Sequence, residues 1–420
     1  MRRRRWFPFW ISIFVSFMLF VGGLMNFTNA ETGGVSGKKG GKHMIKWESI
    51  KGVEISPGSG WGPEFNVVRL ERDLALAKGM GFNAVKTWLV SEAYFEHREL
   101  MLKNVRTFIE LCKKHGLYAS FLLFHMGGGS THPQELNREV VWIPAEKALK
   151  QCSDLIDEVA RESNRPGWPL FFQNYVRRYA TGTLIPFWGD PSQLYLQGST
   201  TDPPYSKWDE EDWPKYDEYI KAILTAFGNN ENVILWDVMG EPYIIANYPW
   251  LFKLLNMKFD EERVTAFLKH FCQLVAGFSP KGAITVGAGG VESVKRVEEV
   301  AGEYTTLISV HWFGPEPEQT RQVLTAVKEF GASAGKPVLL TEFGNLTLHD
   351  SVLDDSRVLG TDEGQLKYYQ DIFPVVEKME IGWFLYCLIT GEGPFANSGL
   401  LYPSGLNRPA ANYLRDRLKK

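Results

Sequence analysis

The feature that most limits the fold of this chain is a repeated alternation between two hydrophobic periods. Beyond Trp47, short runs rich in Val, Ile and aromatic residues alternate with longer segments in which apolar residues recur at helical spacing. This order is typical of parallel strands joined by crossover helices. Eight short runs predict strands at residues 50–55, 84–89, 118–126, 233–239, 283–286, 307–312, 337–342 and 382–388.

Eight strands with helices between them predict a (β/α)8 TIM barrel, an α/β fold whose catalytic loops follow the C-terminal ends of the strands. The length of 420 residues exceeds one average domain but suits a single barrel. An open doubly wound sheet is the alternative. It has less support, because no G-x-G-x-x-G motif follows the first strand and the glycines at 127–129 precede no clear helix start.

Helical spacing predicts later helices at residues 264–275, 291–300, 319–330, 365–376 and 409–418.

The connection after the third predicted strand is far longer than a usual βα loop of about 2–6 residues. We assign residues 127–213 to a long insertion and expect it on the active face of the barrel. Its tryptophans have two interpretations. They form a small packed subdomain, or one or two of them are stacking platforms for sugar rings. The tryptophans in question are Trp142, Trp168, Trp188, Trp208 and Trp213.

The N-terminus has the pattern of an export signal. Four arginines at residues 2–5 precede an uncharged, mostly apolar run at residues 6–30. Cleavage after Ala30 would make residues 1–30 a signal peptide, and the same run is long enough to remain as a membrane anchor. A Gly/Lys/Ser-rich stretch within residues 31–46 predicts a flexible leader. We therefore expect a catalytic domain at residues 47–420 that is secreted or otherwise extracytoplasmic.

Charge and cysteine usage exclude several classes of protein. The formal net charge is −3 at pH 7, which disfavours nucleic acid as a partner, because phosphate binding needs a basic face. Aromatic residues make up 14% of the chain, more than a core normally uses, which points to ligands with flat faces. The cysteines form no C-x-x-C pair, so they predict buried apolar residues rather than disulfides or a thiolate metal site. They are Cys112, Cys152, Cys272 and Cys387.

Two glutamates stand where a buried apolar strand is predicted to end. Residues 233–242 read V-I-L-W-D-V-M-G-E-P, and residues 337–344 read P-V-L-L-T-E-F-G. A carboxylate in such a place is costly unless it is hydrogen-bonded or functional. Two of them at one barrel mouth suit glycosidic cleavage, in which one carboxyl group holds a proton and the other is ionised. Glu241 and Glu342 are therefore the candidate catalytic residues.

These motifs carry a resemblance to a known family. From about Trp47 to Leu418 the chain resembles the clan A glycoside hydrolases, nearest to glycoside hydrolase family 5, the cellulase and mannanase group. The resemblance depends on W-D-V-M-G-E-P, S-V-H-W-F-G and L-T-E-F-G at the fourth, sixth and seventh predicted strands. It implies a retaining double displacement with Glu241 as acid/base and Glu342 as nucleophile. In a retaining enzyme the two carboxyl groups lie about 5–5.5 Å apart.

Four positions depart from the family pattern. Gly240 replaces the Asn that normally binds the sugar 2-hydroxyl, and Phe313 replaces the Tyr that normally contacts the nucleophile. Lys86 stands where the family generally has Arg, which keeps the charge but loses the bidentate fork. Tyr386 stands where the eighth strand usually provides Trp. These departures indicate either a different subfamily or weakened catalysis with binding retained.

The resemblance also suggests residues for substrate binding at the same ends of the strands. His125 is a candidate for the missing contact to the 2-hydroxyl, and its alternative is an ordinary histidine at the end of a strand. No metal or other cofactor is predicted, because the histidine and acid spacings match no ligand motif and two-carboxylate hydrolysis needs none. The predicted substrate-binding residues are Lys86, Trp88, His125, His311, Trp312 and Tyr386.

The sequence therefore predicts a retaining glycoside hydrolase that cleaves β-linked glycans of the β-glucan or β-mannan type. The expected partner is a β-linked oligosaccharide or polysaccharide, with no nucleic acid and with membrane contact only through an uncleaved N-terminal segment. Two alternatives stay open at this point. One is a carbohydrate-binding protein whose catalysis is impaired, and the other is a transglycosylase that uses the same covalent intermediate.

Overall fold

The computed structural model describes residues 45–56, 60–126, 141–144, 184–187, 201–202, 208–243, 260–345, 362–389 and 398–419. The backbone alone is described at residues 125–126, 141–144, 184–187 and 201–202. Residues 46–420 belong to one compact unit. The predicted export segment at residues 1–30 and nearly all of the predicted leader lie outside the described residues.

Eight parallel strands form a closed ring. In chain order the described strands are β1 (Lys51–Glu54), β2 (Ala84–Trp88), β3 (Tyr118–Met126), β4 (Val141–Pro144), β5 (Leu184–Phe187), β6 (Thr201–Asp202), β7 (Val233–Gly240), β8 (Ala283–Gly289), β9 (Ile308–His311), β10 (Val338–Phe343) and β11 (Gly382–Leu385). The eight strands of the ring pair in the order β2-β1-β11-β10-β9-β8-β7-β3, and β3 pairs with β2 to complete the circle.

Helices alternate with the barrel strands along the chain. Asn66 caps the first helix by accepting a hydrogen bond from the backbone N–H of Arg69, and Gly81 ends that helix in the left-handed conformation that glycine adopts without strain. The described α-helices are α1 (Val67–Met80), α2 (Ser91–Lys114), α3 (Trp213–Phe227), α4 (Glu261–Gly277), α5 (Val291–Ala301), α6 (Pro317–Ala334), α7 (Asp362–Lys378) and α8 (Pro409–Leu418).

The predicted (β/α)8 barrel is confirmed, and the differences concern only the ends of elements. The fifth barrel strand continues to Gly289, beyond the predicted end at residue 286, because its glycines interrupt the apolar pattern and still pair with β9. The eighth barrel strand ends at Leu385 rather than at residue 388. Leu388 is nevertheless buried and donates its backbone N–H to the carbonyl of Glu54. An apolar pattern indicates which residues are buried, and at this strand the buried residues extend beyond the last residue that pairs with a neighbouring strand.

The long connection between β3 and β7 returns to the C-terminal edge of the ring. Its strand β6 pairs antiparallel with the last two residues of β3, through His125 with Asp202 and Met126 with Thr201. Strands β4 and β5 form a separate antiparallel pair. The boundaries of 127–213 for an insertion remain a prediction.

Two of the five tryptophans considered as sugar platforms pack into the protein instead. Trp208 is fully buried and its ring stacks on Phe267 of α4 at 4.8 Å between centroids. Trp213 begins α3 and stacks on His270 at 4.3 Å. These two are packing residues, as expected for a packed subdomain. Trp168, Trp188 and the side chain of Trp142 lie outside the described residues.

Three of the four cysteines fall in the described part of the chain. Cys112, Cys272 and Cys387 are buried there and form no disulfide, as the sequence predicts, while Cys152 lies outside the described residues. No described helix is both long enough and apolar enough to cross a membrane.

Candidate active site

Strand register brings charged residues together at the C-terminal ends of the barrel strands. Glu54, the last residue of β1, pairs in register with Lys86 on β2. On the far side of the ring, Glu342 on β10 pairs with His311, the last residue of β9. Glu241 directly follows β7. Because parallel strands end at one rim of a barrel, these five residues occupy the same end of it.

Lys86 is the cation at the centre of this cluster. Its side chain is only 1% exposed, and its Nζ lies 2.6 Å from Glu342 Oε1, 3.7 Å from Asp237 Oδ2 and 3.9 Å from Glu54 Oε2. Burial by itself would lower the pKa of Lys86, but the charges of Glu342, Asp237 and Glu54 raise it above its ordinary value. Lys86 therefore stays charged and takes the place beside Glu342 that the family resemblance gives to an arginine.

The two candidate catalytic carboxylates face each other across His311. The Nδ1 atom of His311 lies 3.0 Å from Glu241 Oε1 and 3.5 Å from Glu342 Oε2. One carboxylate oxygen of Glu241 and one of Glu342 lie within 4.8 Å of each other. The side chains of Glu241 and Glu342 are 18% and 15% exposed, so both are held by protein and still open to a ligand.

The backbone at Glu241 turns sharply as it leaves the strand. Its φ is +54°, in the left-handed region that a residue with a side chain rarely adopts, and its N–H donates to the carbonyl oxygen of Gly287 at 2.7 Å. The hydrogen bond to β8 fixes this turn. As a result the Glu241 side chain points to His311 rather than continuing the alternation of β7.

His311 is buried between opposing electrostatic influences. Burial would lower the pKa of its imidazole, and the nearby Lys86 acts in the same direction. The carboxylates of Glu342 and Glu241 outweigh both and raise the pKa of His311 above its ordinary value. The protonated ring can donate from Nδ1 to the two glutamates, and it thereby offsets part of their mutual repulsion.

Asp237 is a functional candidate that the sequence analysis missed. It lies in the middle of β7, is fully buried, and accepts a hydrogen bond at Oδ1 from the backbone N–H of Gly287 at 2.9 Å. Burial raises the pKa of Asp237 to about 6, against the opposing effects of Lys86 and His311. A signal was available, because an aspartate inside the apolar run V-I-L-W-D-V-M is costly unless it has partners.

Glu54 is the second residue that the sequence analysis missed as part of this cluster. It is 4% exposed, and burial raises its pKa well above the ordinary value. The charge of Glu342 acts in the same direction, and Lys86 opposes it. The sequence signal was again a carboxylate at the end of a buried strand. Lys86 alone cannot neutralise three carboxylates, so the environment of Glu54 favours its protonated form.

The predicted aromatic residues lie at the same rim and are partly exposed. The indole N–H of Trp312 donates to Thr320 Oγ1 at 3.0 Å, so its ring orientation is fixed by α6. The carbonyl oxygen of Trp88 accepts a hydrogen bond from Trp61 at 2.7 Å, which fixes the backbone there. Phe313 meets Tyr386 edge-on, with ring centroids 5.9 Å apart. Sugar contacts of Trp88, Trp312 and Tyr386 remain predictions.

The phenol of Tyr386 lies within the field of the glutamates. Burial raises its pKa well above the ordinary value, and the neighbouring Cys387 thiol and the carboxylates of Glu54, Glu342 and Glu241 raise it further. Tyr386 therefore remains a neutral phenol, which can donate a hydrogen bond. It is placed to supply a hydroxyl group in a site where Phe313 has none.

Two other positions named by the sequence analysis remain open. The backbone of His125 pairs with Gly240 at the rim, but its side chain lies outside the described residues. At Gly240 a Cβ atom would lie 3.3 Å from Leu122 Cδ2, a close contact that would require Leu122 to shift. The barrel wall beside Glu241 is therefore packed around a glycine, without the amide that the family pattern provides.

On distance alone, the nitrogen of His311 and one oxygen each of Glu241 and Glu342 could share a cation, because these atoms all lie within 4.8 Å of one another. The same three groups are also a complete set for acid/base hydrolysis by two carboxylates. The predicted metal-free site therefore stays a prediction.

Comparison with known proteins identifies the fold. No protein-family model matches the chain, and no curated protein matches its sequence. Among solved structures, a GH5_18 enzyme from Streptomyces cattleya in complex with Manβ1-4GlcNAc is similar at a TM-score of 0.55 and 12% identity, over 88% of this chain and 79% of that one.

Two further structures have the same similarity of fold. Bacteroides uniformis β-glucuronidase 2 matches at a TM-score of 0.53 and 13% identity, over 88% of this chain and 35% of that one. The exo-β-1,4-mannosidase Op5Man5 from Opitutaceae bacterium strain TAV5 matches at 0.52 and 15% identity, over 88% of this chain and 58% of that one. This chain thus corresponds to only part of either protein. The similarity is one of fold: these three proteins share a barrel with this chain, as the sequence predicts.

Proposed function

We propose that this protein is a retaining glycoside hydrolase that acts on β-linked glycans. The observation that carries the proposal is the pair of carboxylates, Glu241 and Glu342, with oxygens within 4.8 Å at the open rim of a TIM barrel. Retaining enzymes hold their two carboxyl groups about 5–5.5 Å apart, whereas inverting enzymes need a wider gap for a water molecule. The short separation supports attack by a carboxylate on the sugar.

The surroundings of the two glutamates support different roles for them. Glu342 lies 2.6 Å from the ammonium group of Lys86, which favours its ionised form, so we assign it as the nucleophile that bonds to the anomeric carbon. Glu241 contacts His311 and is not among the carboxylates within 4 Å of Lys86. We assign it as the acid that protonates the leaving oxygen. In the second step it takes a proton from the water that releases the sugar.

For the substrate we propose a β-glucan or β-mannan type of glycan. The partly exposed rings of Trp88, Trp312 and Tyr386 suit the apolar C–H faces of β-linked sugars. Structural neighbours include an exo-β-1,4-mannosidase and a GH5_18 enzyme in complex with Manβ1-4GlcNAc, which supports this class without identifying the sugar. A panel of aryl β-glycosides and β-glycans, incubated with residues 31–420, would identify it.

The decisive experiment replaces the nucleophile. We expect Glu342→Ala to lower kcat/KM by about 10³-fold or more, and we expect added azide to restore turnover with a glycosyl azide as product. Glu318→Ala is a matched control, because Glu318 is an exposed glutamate of α6 that pairs with Arg321, and it should keep full activity. A rate for Glu342→Ala equal to that of the wild type would remove the assigned nucleophile.

A second candidate function is carbohydrate binding without turnover. It is favoured by Gly240, which leaves no side chain beside Glu241, and by Phe313, which has no hydroxyl group. Calorimetric binding of an oligosaccharide, with no product after long incubation, would support it. Products longer than the substrate would instead indicate transglycosylation, because a second sugar would then have replaced water as the acceptor.

We also propose that the protein works outside the cytoplasm, on the basis of the arginines at residues 2–5 and the uncharged run at residues 6–30. Fractionation of cells that express the full chain tests this, with N-terminal sequencing to distinguish cleavage after Ala30 from a retained anchor. Recovery of the intact chain from the cytoplasm would contradict it.

A further inference from the structure

Two polar atoms in the same cluster as the two glutamates have no hydrogen-bond partner among the described residues. They are Oδ2 of Asp237 and Nε2 of His311, and both are buried. A buried polar atom without a hydrogen bond is unfavourable by about 1–3 kcal/mol, and the ammonium group of Lys86, at 3.7 Å from Oδ2, is too distant to donate one. The opposite nitrogen of the same imidazole, Nδ1, contacts both catalytic candidates.

The two atoms converge on one point beside Gly287. A Cβ atom at this position would lie 2.5 Å from His311 Nε2 and 3.1 Å from Asp237 Oδ2. Any side chain at residue 287 would therefore collide with the imidazole. Gly287 also donates its N–H to Asp237 Oδ1 at 2.9 Å and accepts the N–H of Glu241 at its carbonyl oxygen at 2.7 Å. One glycine thus joins the aspartate, the histidine and the candidate acid.

We propose that Asp237 is a positioning residue that acts through His311, holding the Nε2 proton of the ring so that Nδ1 donates to Glu241 and Glu342. The proposal rests on the proposed hydrolytic function. The two unpartnered atoms make no direct hydrogen bond, and both lie near Gly287, so a single buried water can bridge them. In histidines generally, the hydrogen-bond partner of one ring nitrogen determines the protonation of the opposite nitrogen.

The charges around His311 support a proton on each of its ring nitrogens. Glu342 is the ionised carboxylate of the proposed mechanism and can only accept hydrogen bonds, so the contact of its Oε2 with Nδ1 favours a proton on Nδ1. A carboxylate at Asp237 then favours a second proton on Nε2 and makes the ring a cation. That cation holds the two glutamates together at the distance which the reaction needs.

Other charged groups act on the same ring and must be considered with it. Lys86 on β2 opposes its protonation, while Glu342 on β10 and Glu241 after β7 favour it. The thiol of Cys272 on α4 lies near Asp237 and is neutral, because burial raises its pKa. Glu54 on β1 has Oε2 at 3.9 Å from the Nζ of Lys86. Asp237 Oδ2 is the carboxylate oxygen that shares the space beside Gly287 with the Nε2 atom of the ring.

The test measures the protonation of His311 by ¹⁵N NMR of the imidazole in the full chain. In the wild type we expect both ring nitrogens to be protonated at pH 7. In Asp237→Asn, which keeps the shape of the side chain, we expect the His311 pKa to fall by about one unit or more. We also expect kcat to fall at least about tenfold while KM changes little, because ground-state contacts to the sugar are untouched.

Two further variants make the result specific. Asp371→Asn is the matched control, because Asp371 lies on α7 in a surface pair with Lys367, and it should change neither the imidazole titration nor kcat. Gly287→Ala should displace the ring and lower kcat even though it leaves every charge in place. Thermal unfolding of each variant checks that it is folded.

The outcomes are separable. A wild-type ring that is neutral at pH 7 with Nε2 unprotonated would overturn the proposal without any variant, and so would an unchanged titration in Asp237→Asn. The NMR measurement needs no substrate. If no glycan is cleaved but the titration shifts as expected, the proposed function fails and the Asp237–His311 relationship stands.

Discussion

Two lysines of this protein, the half-buried Lys336 and the fully buried Lys86, show what separates a structural ion pair from a functional one. Lys336, at the end of α6, meets Glu298 Oε2 at 2.5 Å, the Gly302 carbonyl at 2.7 Å and Thr305 Oγ1 at 2.9 Å. One carboxylate and two neutral acceptors match one ammonium group with three donors. This lysine is fully satisfied and joins two helices of the outer layer.

Lys86 inside the barrel has the opposite balance. Three carboxylates share it, and Oδ2 of Asp237 and Nε2 of His311 have no hydrogen-bond partner among the described residues. A fold that needed only stability would gain from fewer charges there, because the desolvation of buried ions is expensive. Burial in this cluster, with a smaller effect of the Glu342 charge, instead raises the pKa of Asp237 to about 6, close to neutral pH. The excess of carboxylates over cations thus distinguishes the Lys86 cluster from the Lys336 pair.

The largest effect should separate the two lysines. We expect Lys86→Met to lower kcat/KM by about 10²–10³-fold, because Glu342 loses the cation that keeps it ionised. Lys336→Met should leave kcat/KM nearly unchanged and lower the free energy of unfolding by about 2 kcal/mol. Steady-state kinetics and urea unfolding of both variants measure this. Equal loss of activity in the two variants would show that Lys86 has no functional role that Lys336 lacks.

A smaller effect, on stability, should separate Glu54 from Glu298. At pH 7.5 replacing Glu54 should stabilise the protein, whereas replacing Glu298 should destabilise it. The folded-state pKa of Glu54 is raised, so its contribution to stability is present at low pH and is lost as pH rises through that pKa. Glu54→Gln should therefore be more stable than the wild type at pH 7.5 by about 1–3 kcal/mol and close to it at pH 4. Glu298→Gln should be less stable at pH 7.5, because Lys336 loses its carboxylate.

Urea unfolding of both variants at the two pH values gives the measurement. If Glu54→Gln destabilises the protein at pH 7.5 as much as Glu298→Gln does, then Glu54 is an ordinary ionised partner of Lys86. The crowding of acids around Lys86 would then need another explanation.

The smallest effect concerns the rim. Trp312 is held by Thr320 through its indole N–H, so Trp312→Phe keeps an aromatic face and loses the hydrogen bond. We expect KM for an oligosaccharide to rise by less than about tenfold with kcat nearly unchanged, since the loss affects binding before and during the reaction alike. Trp213→Phe is the control, because Trp213 stacks on His270 in the helical layer and should alter neither constant.

Much of the fold was predictable because its signals are local. Each barrel strand carries its own run of apolar residues, and Glu241 and Glu342 follow such runs, so both could be named from a few neighbours. Asp237 and Glu54 were not recognised, although each is a carboxylate in an apolar strand. Their cost could be seen in the sequence, but their partners could not. The two packed tryptophans, Trp208 and Trp213, likewise gave no sequence signal to distinguish them from sugar platforms.

The sequence alone determined the eight strands and the strand ends at which two glutamates stand, because hydrophobic period and strand-end position are properties of short segments. Only the tertiary structure decided that Lys86 also lies beside Asp237 and Glu54, and that one imidazole contacts both glutamates. The physical reason is that the eight strands close into a ring. Which side chains meet inside the ring depends on the register of all eight strands together, and no single segment contains that information.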